Sequence, residues 1–176
     1  PLPLNSPTVP AGIARKTTAL EVPTILGERP TKPVNLNTGV EHTSLKDQVL
    51  VTYARDDWET RVAPLINKLY EAKIDTWVDQ YLMMGGADWY SATEQARLEC
   101  WALIVVVTPA AMRSELVRKN WRHFQNREKP IILFVQEAVE HMPIGAHKMT
   151  NIYAHEGTSE PAYHQLIAEL KRLRSS

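Results

Sequence analysis

The sequence predicts an α/β domain over residues 48–176, built as a doubly wound, five-stranded parallel sheet with helices on both faces. Three observations carry that expectation. Apolar runs of strand length alternate with segments whose apolar residues recur at helical spacing. The connections between them are short, which favours right-handed crossovers and parallel pairing. Residues 101–107 form an unbroken apolar run, as expected of a strand buried on both faces of a parallel sheet.

The chain has 176 residues, enough for one domain and an appendage. Seven of its twelve prolines lie in residues 1–33, and nothing up to residue 47 shows helical or strand periodicity. Residues 1–47 therefore read as a Pro-rich linker or partly disordered segment, with clusters such as Val22-Pro23-Thr24-Ile25-Leu26 able to dock. A chain that opens on Pro1 is expected to be part of a longer polypeptide, fused to another domain.

From Gln48 the elements follow in order. Val49-Leu50-Val51-Thr52-Tyr53 is a β-branched apolar run, and it ends in Arg55-Asp56-Asp57, where either aspartate can cap a helix. Trp58, Val62, Leu65, Ile66, Leu69 and Ala72 then mark one helical face, with Pro64 in the early turns, where it is least costly. Residues 74–78 form a second strand, and a loop holding Gly85-Gly86 follows. The next helix starts near Asp88, with Trp89, Ala92, Ala96 and Cys100 on one stripe. After the strand at 101–107, Thr108-Pro109 opens a third helix running to about Asn126. Residues 130–135 and 151–154 supply the last two strands, and 163–173 a closing helix with Leu166, Ile167, Leu170 and Leu173 inward. This is the flavodoxin-like plan. Ligands on such sheets bind outside the carboxyl ends of the strands, near the point where the strand order reverses.

Composition narrows the function. Twenty basic residues balance twenty acidic ones, and this zero net charge argues against bulk nucleic-acid binding. It also gives little protection against self-association. The single cysteine, Cys100, sits in an apolar run and fits a reducing compartment, so a cytoplasmic location is expected. No stretch reaches the length of a membrane span, and no signal-peptide pattern is present. The six histidines lack metal-ligand spacing, so no metal site is expected.

The strand ends carry a family resemblance. Val51-Thr52-Tyr53-Ala54-Arg55-Asp56-Asp57 resembles the first-strand box of TIR (Toll/interleukin-1 receptor) domains, with Thr52 where serine is usual. Ile74-Asp75-Thr76-Trp77-Val78-Asp79 resembles the second-strand box, and Gly85-Gly86-Ala87-Asp88-Trp89 the end of the following loop. The run from Ile104 to Pro109, then Ser114, then Lys129-Pro130-Ile131-Ile132 are similar to the third and fourth boxes in order and spacing. Each box alone is weak; the ordered set is specific, and its details most resemble bacterial members.

The resemblance implies an NAD+ pocket and assembly through contacts with other TIR domains. Thr52, Tyr53, Ala54 and Arg55 would line the pocket, with Trp77 offering a ring face and Asp79 a carboxylate for ribose hydroxyls. Beside these stand plainer readings: an ion-paired Arg55, a core Trp77, and an Asp79 that merely starts a turn. Tyr81, Leu82, Met83, Met84, Gly85 and Gly86 form the expected assembly loop, adaptable and apolar, unless Leu82 and Met83 fold back onto the domain.

Catalytic TIR domains resemble one another in a Trp-x-x-x-Glu spacing on the third helix, the glutamate facing the ribose. Here those positions are Leu116 and Asn120. Trp121 and Gln125 repeat the spacing without an acid, and Glu115 lies about 140° around the helix from Asn120. An amide can hydrogen-bond ribose but cannot balance the positive charge that builds as nicotinamide leaves. Arg113, Arg118, Lys119, Arg122 and Arg127 make the same helix basic, a solvated face or a contact for phosphate or an acidic partner.

Other reactions on this fold lack their residues. A phosphoacceptor domain needs an aspartate where Val107-Thr108-Pro109 stands, a dinucleotide oxidoreductase needs a Gly-rich turn after the first strand, and a hydrolase needs a nucleophile elbow. The expected function is a signalling module acting by TIR–TIR assembly in a bacterial defence or stress pathway, with an NAD+ pocket and no resident cofactor. The alternative is an assembly-activated NAD+ glycohydrolase.

Overall fold

The computed structural model describes residues 44–79, 89–154 and 159–176. Most of the 1–47 segment, through residue 43, and the assembly loop at 81–86 lie outside the described residues. The strands are β1 (Val49–Thr52), β2 (Thr76–Trp77), β3 (Ala102–Val107), β4 (Ile131–Val135) and β5 (Thr150–Tyr153). The helices are α1 (Ala63–Glu71), α2 (Trp89–Glu99), α3 (Pro109–Arg113), α4 (Glu115–Asn126) and α5 (Glu160–Arg174). Every strand pair is parallel, in the order β2-β1-β3-β4-β5. This is the flavodoxin-like sheet the sequence predicts.

Alternation along the strands sorts the core into two layers. Val49, Val51, Ala102, Ile104, Val106, Ile132 and Phe134 face one side, with Leu65, Ile66 and Leu69 of α1 and Leu166 and Leu170 of α5. Leu50, Leu103, Val105, Val107, Leu133 and Val135 face the other, with Ala96 of α2 and Val117 and Phe124 of α4. Strands buried on both faces need apolar residues at every position, hence the unbroken runs in β3 and β4.

Local departures have physical causes. The first helix does not start with an aspartate cap: Arg55–Asp57 form a 3₁₀ turn and Trp58–Val62 a π-helical turn before α1 begins. Pro64 then sits in the first turn of α1, directly after the π-helical turn. The expected third helix is two helices. Ser114 is extended (φ −74°, ψ 124°) and accepts from the Val117 N–H, so it caps α4 and interrupts the chain after α3. The second strand shortens to Thr76–Trp77, while Asp75 still contributes its carbonyl to the Val49 N–H at 2.9 Å. Lys129 closes α2 from outside, its Nζ donating to the carbonyls of Leu98 (2.6 Å) and Cys100 (2.8 Å). Burial against that end pushes the Cys100 thiol up to about 12. Among the described residues no helix is long and apolar enough to cross a membrane.

Candidate functional site

The reversal of strand order lies between β1 and β3, and the carboxyl ends of β1 and β2 open beside it. Alternation turns Thr52 toward α4 and Tyr53 to the opposite face. The Tyr53 hydroxyl donates to Oδ1 of Asp79 at 2.6 Å, and both side chains are buried. The Tyr53 ring also meets Trp58, with centroids 5.6 Å apart. Asp79, just beyond the end of β2, is therefore held by a phenol.

Asn120 projects from α4 onto the same floor and is only 3% exposed. Its Nδ2 donates to Thr52 Oγ1 at 3.0 Å, and its Oδ1 accepts from Arg97 Nε at 2.9 Å. Arg97, on α2, is equally buried, and its Nη1 donates to Glu94 Oε1 at 2.6 Å. Lys119 reaches the same Glu94 oxygen at 3.0 Å from the surface. These two bonds, that from Lys119 first, lower the Glu94 carboxyl to about 2. One chain of contacts thus runs from solvent to β1. A buried guanidinium beside Asn120 is neutralised by Glu94, one turn away on its own helix.

Thr52, Tyr53, Trp77, Asp79 and Asn120 come together around one small cavity, which Leu50, Val51, Thr93 and Leu116 complete. Its volume of about 10 Å³ has room for about one water molecule. Among the described residues, this cavity is no chamber for a nucleotide. Two expected pocket residues stand apart from it. Ala54 is buried in the core with Trp77, while Arg55 is exposed in the 3₁₀ turn and has no ion pair among the described residues. Chemically, the lining offers three hydroxyls, of Thr52, Tyr53 and Thr93, and one carboxylate, at Asp79; the position on α4 offers only an amide already bonded on both sides.

A second polar knot lies at the ends of β1 and β3. Thr108 Oγ1 accepts from the Ala111 N–H at 3.0 Å and donates to Asp57 Oδ2 at 2.6 Å. Asp57, which sequence reasoning takes as a candidate helix cap, therefore tethers α3. Sequence reasoning also misses Glu94 and Arg97. The available signal is helical phase: Thr93, Ala96, Arg97 and Cys100 fall at i, i+3, i+4 and i+7, which carries Arg97 into the buried stripe.

Residues 49–167 match the sequence model described as TIR domain. No curated protein matches the chain. Among solved structures, it is similar to the TIR domain of the Toll-related receptor TRR-2 from Hydra magnipapillata. That likeness has 21% identity and a TM-score of 0.59, and covers 72% of this chain and 97% of that one. At such identity it speaks for the fold.

Proposed function

We propose that this chain, which belongs to the TIR domain family, is a signalling module that works through contacts between TIR domains and keeps an NAD+-binding cleft without a working acid on α4. Its setting in this reading is the cytoplasm, in a bacterial defence or stress pathway. The observation that carries the reading is the buried Asn120 amide, committed to Thr52 and to Arg97. Cleavage of the nicotinamide–ribose bond builds positive charge on the sugar. A neutral amide in place of a carboxylate forfeits roughly 3 kcal/mol of stabilisation, about a hundredfold in rate. A second reading, an assembly-activated NAD+ glycohydrolase, has Asp79 in its favour, a carboxylate that faces the same cavity.

The deciding experiment incubates concentrated or crowded protein with NAD+ and follows nicotinamide release, in the unmodified chain and in Asn120→Glu. The scaffold reading expects no release from the unmodified chain and a gain in the variant. Equal turnover in both would sink it, and silence in both would sink the glycohydrolase. Light scattering of Leu82→Asp and Met83→Asp tests assembly: both are expected to lose self-association, and unchanged scattering would remove that loop from the interface.

A further inference from the structure

His123 follows Asn120 by three residues on α4, so the two side chains are neighbours on one face of the helix. Through Arg97 and Asn120 that face meets α2. The Nε2 atom of His123 is buried and makes no hydrogen bond among the described residues. Charges around the ring are mostly of one sign. Arg97 acts on it from α2, Arg127 from the end of α4 and Lys129 from the turn before β4, against one acid, Glu94 of α2. Two of these three cations are fixed in place. Arg97 is buried and held by Asn120 and Glu94. Lys129 is held by the carbonyls of Leu98 and Cys100 and lies over the Phe124 ring, 5.2 Å from its centroid. Glu94 has little left to offer the ring, because it is already shared between Arg97 and Lys119.

Protonation turns both ring nitrogens of a histidine into donors. On His123 it puts an N–H where no acceptor is in reach and adds a fourth cation to the group. The negative end of the α4 dipole favours a cation there, but the last carbonyls already accept from the N–H groups of Arg127, Glu128 and Lys129. Burial first, and then the neighbouring cations, hold the ring below the ordinary histidine range. We infer that His123 is an acid-sensitive latch between α2 and α4: neutral, it leaves Arg97 on Asn120; protonated, it drives Arg97 off that amide and loosens the wall of the cleft. The latch stands on the α2–α4 seam alone; only its consequence for a nucleotide rests on the proposed NAD+ cleft. A histidine whose folded pKa is depressed contributes stability that is complete above its unfolded pKa and is lost as pH falls through the folded one.

The test follows the full chain, isotopically labelled, by nuclear magnetic resonance from about pH 8 to about pH 5. The His123 ring is expected to titrate below the exposed His141, His147 and His164, and the Asn120 side-chain amide to shift with the same midpoint as His123. Arg127→Ala, at an exposed position, is expected to raise both midpoints together. His123→Gln cannot take up a proton, so it is expected to abolish the Asn120 shift and to flatten the fall in urea stability over the same range. Glu94 does not enter that range, since its carboxyl is lowered to about 2. A His123 midpoint at or above those of the exposed histidines overturns the latch. So does an Asn120 signal that stays still while His123 titrates, or one that still shifts in His123→Gln. If the glutamine variant does not fold, the coincidence of the two midpoints and their joint movement in Arg127→Ala decide the matter. No nucleotide enters the test, so its outcome is independent of the NAD+ reading.

Discussion

At position 120 an amide does what a carboxylate cannot: it donates to Thr52 while accepting from Arg97. Both neighbours are buried, so each bond answers a group that has no water to turn to. Arg97→Leu strips Asn120 Oδ1 of its donor and leaves Glu94 with Lys119 alone, and it is expected to cost about 2–3 kcal/mol in urea unfolding. An unchanged midpoint would mean that the network carries no stability. Glu94→Gln isolates the opposite charge. With its folded pKa lowered to about 2 from 4.5, Glu94 contributes stability that is complete above about pH 4.5 and fades as pH falls toward 2. The glutamine variant is therefore expected to be less stable at neutral pH and to show a flatter loss across that acid window. Parallel curves for the two proteins, read by pH-dependent urea unfolding, would remove Glu94 from the account. Tyr53→Phe probes the other side of the floor: Asp79 loses a 2.6 Å donor, at an expected cost of about 1–2 kcal/mol.

Helix ends carry the next level of specification. Thr108 accepts from the first turn of α3 and donates to Asp57 through one hydroxyl, so β1 and β3 are tied at the point where the strand order reverses. Thr108→Val keeps the shape and removes both bonds, and about 2–3 kcal/mol is expected to go with them, whereas Thr108→Ser retains most of it. Equal losses in the two variants would assign the effect to the methyl group. At the far end of α1, Lys73 takes φ 60° so that its N–H reaches the Tyr70 carbonyl and that of Ile74 the Leu69 carbonyl. That left-handed position favours glycine. Lys73→Gly is expected to stabilise the domain by about 0.5–1 kcal/mol, the relief of backbone strain less the added freedom of the unfolded chain. A lower melting temperature would contradict the assignment.

Across the whole molecule, legibility follows how local the cause is. β3 and β4 read correctly because a doubly buried strand must be apolar at every position, and they satisfy that over 102–107 and 131–135. The break at Ser114 does not read in advance, since serine is tolerated on a helix surface and only its bond to the Val117 N–H turns it into a cap. Thr52, Tyr53, Trp77, Asp79 and Asn120 are legible as neighbours because strand ends converge on one edge of such a sheet. Arg97 is not, because a charged residue is expected in solvent and the amide it serves lies 23 residues away. The same sheet that gathers the site also divides the core. Leu166 packs on the face of α1 and α5, and Phe124 on the face of α2 and α4, with only the strands between them. Since β1, β3 and β4 contribute side chains to both layers, neither layer keeps its strands in place without the other. Leu166→Ala and Phe124→Ala are each expected to lower stability by about 2–5 kcal/mol and to leave a single cooperative transition. Far-ultraviolet dichroism and tryptophan fluorescence, followed together through urea unfolding, should then trace one curve in each variant. Separate midpoints in either one would show that the two layers fold as independent units, and that the cleft on one face is insulated from damage on the other.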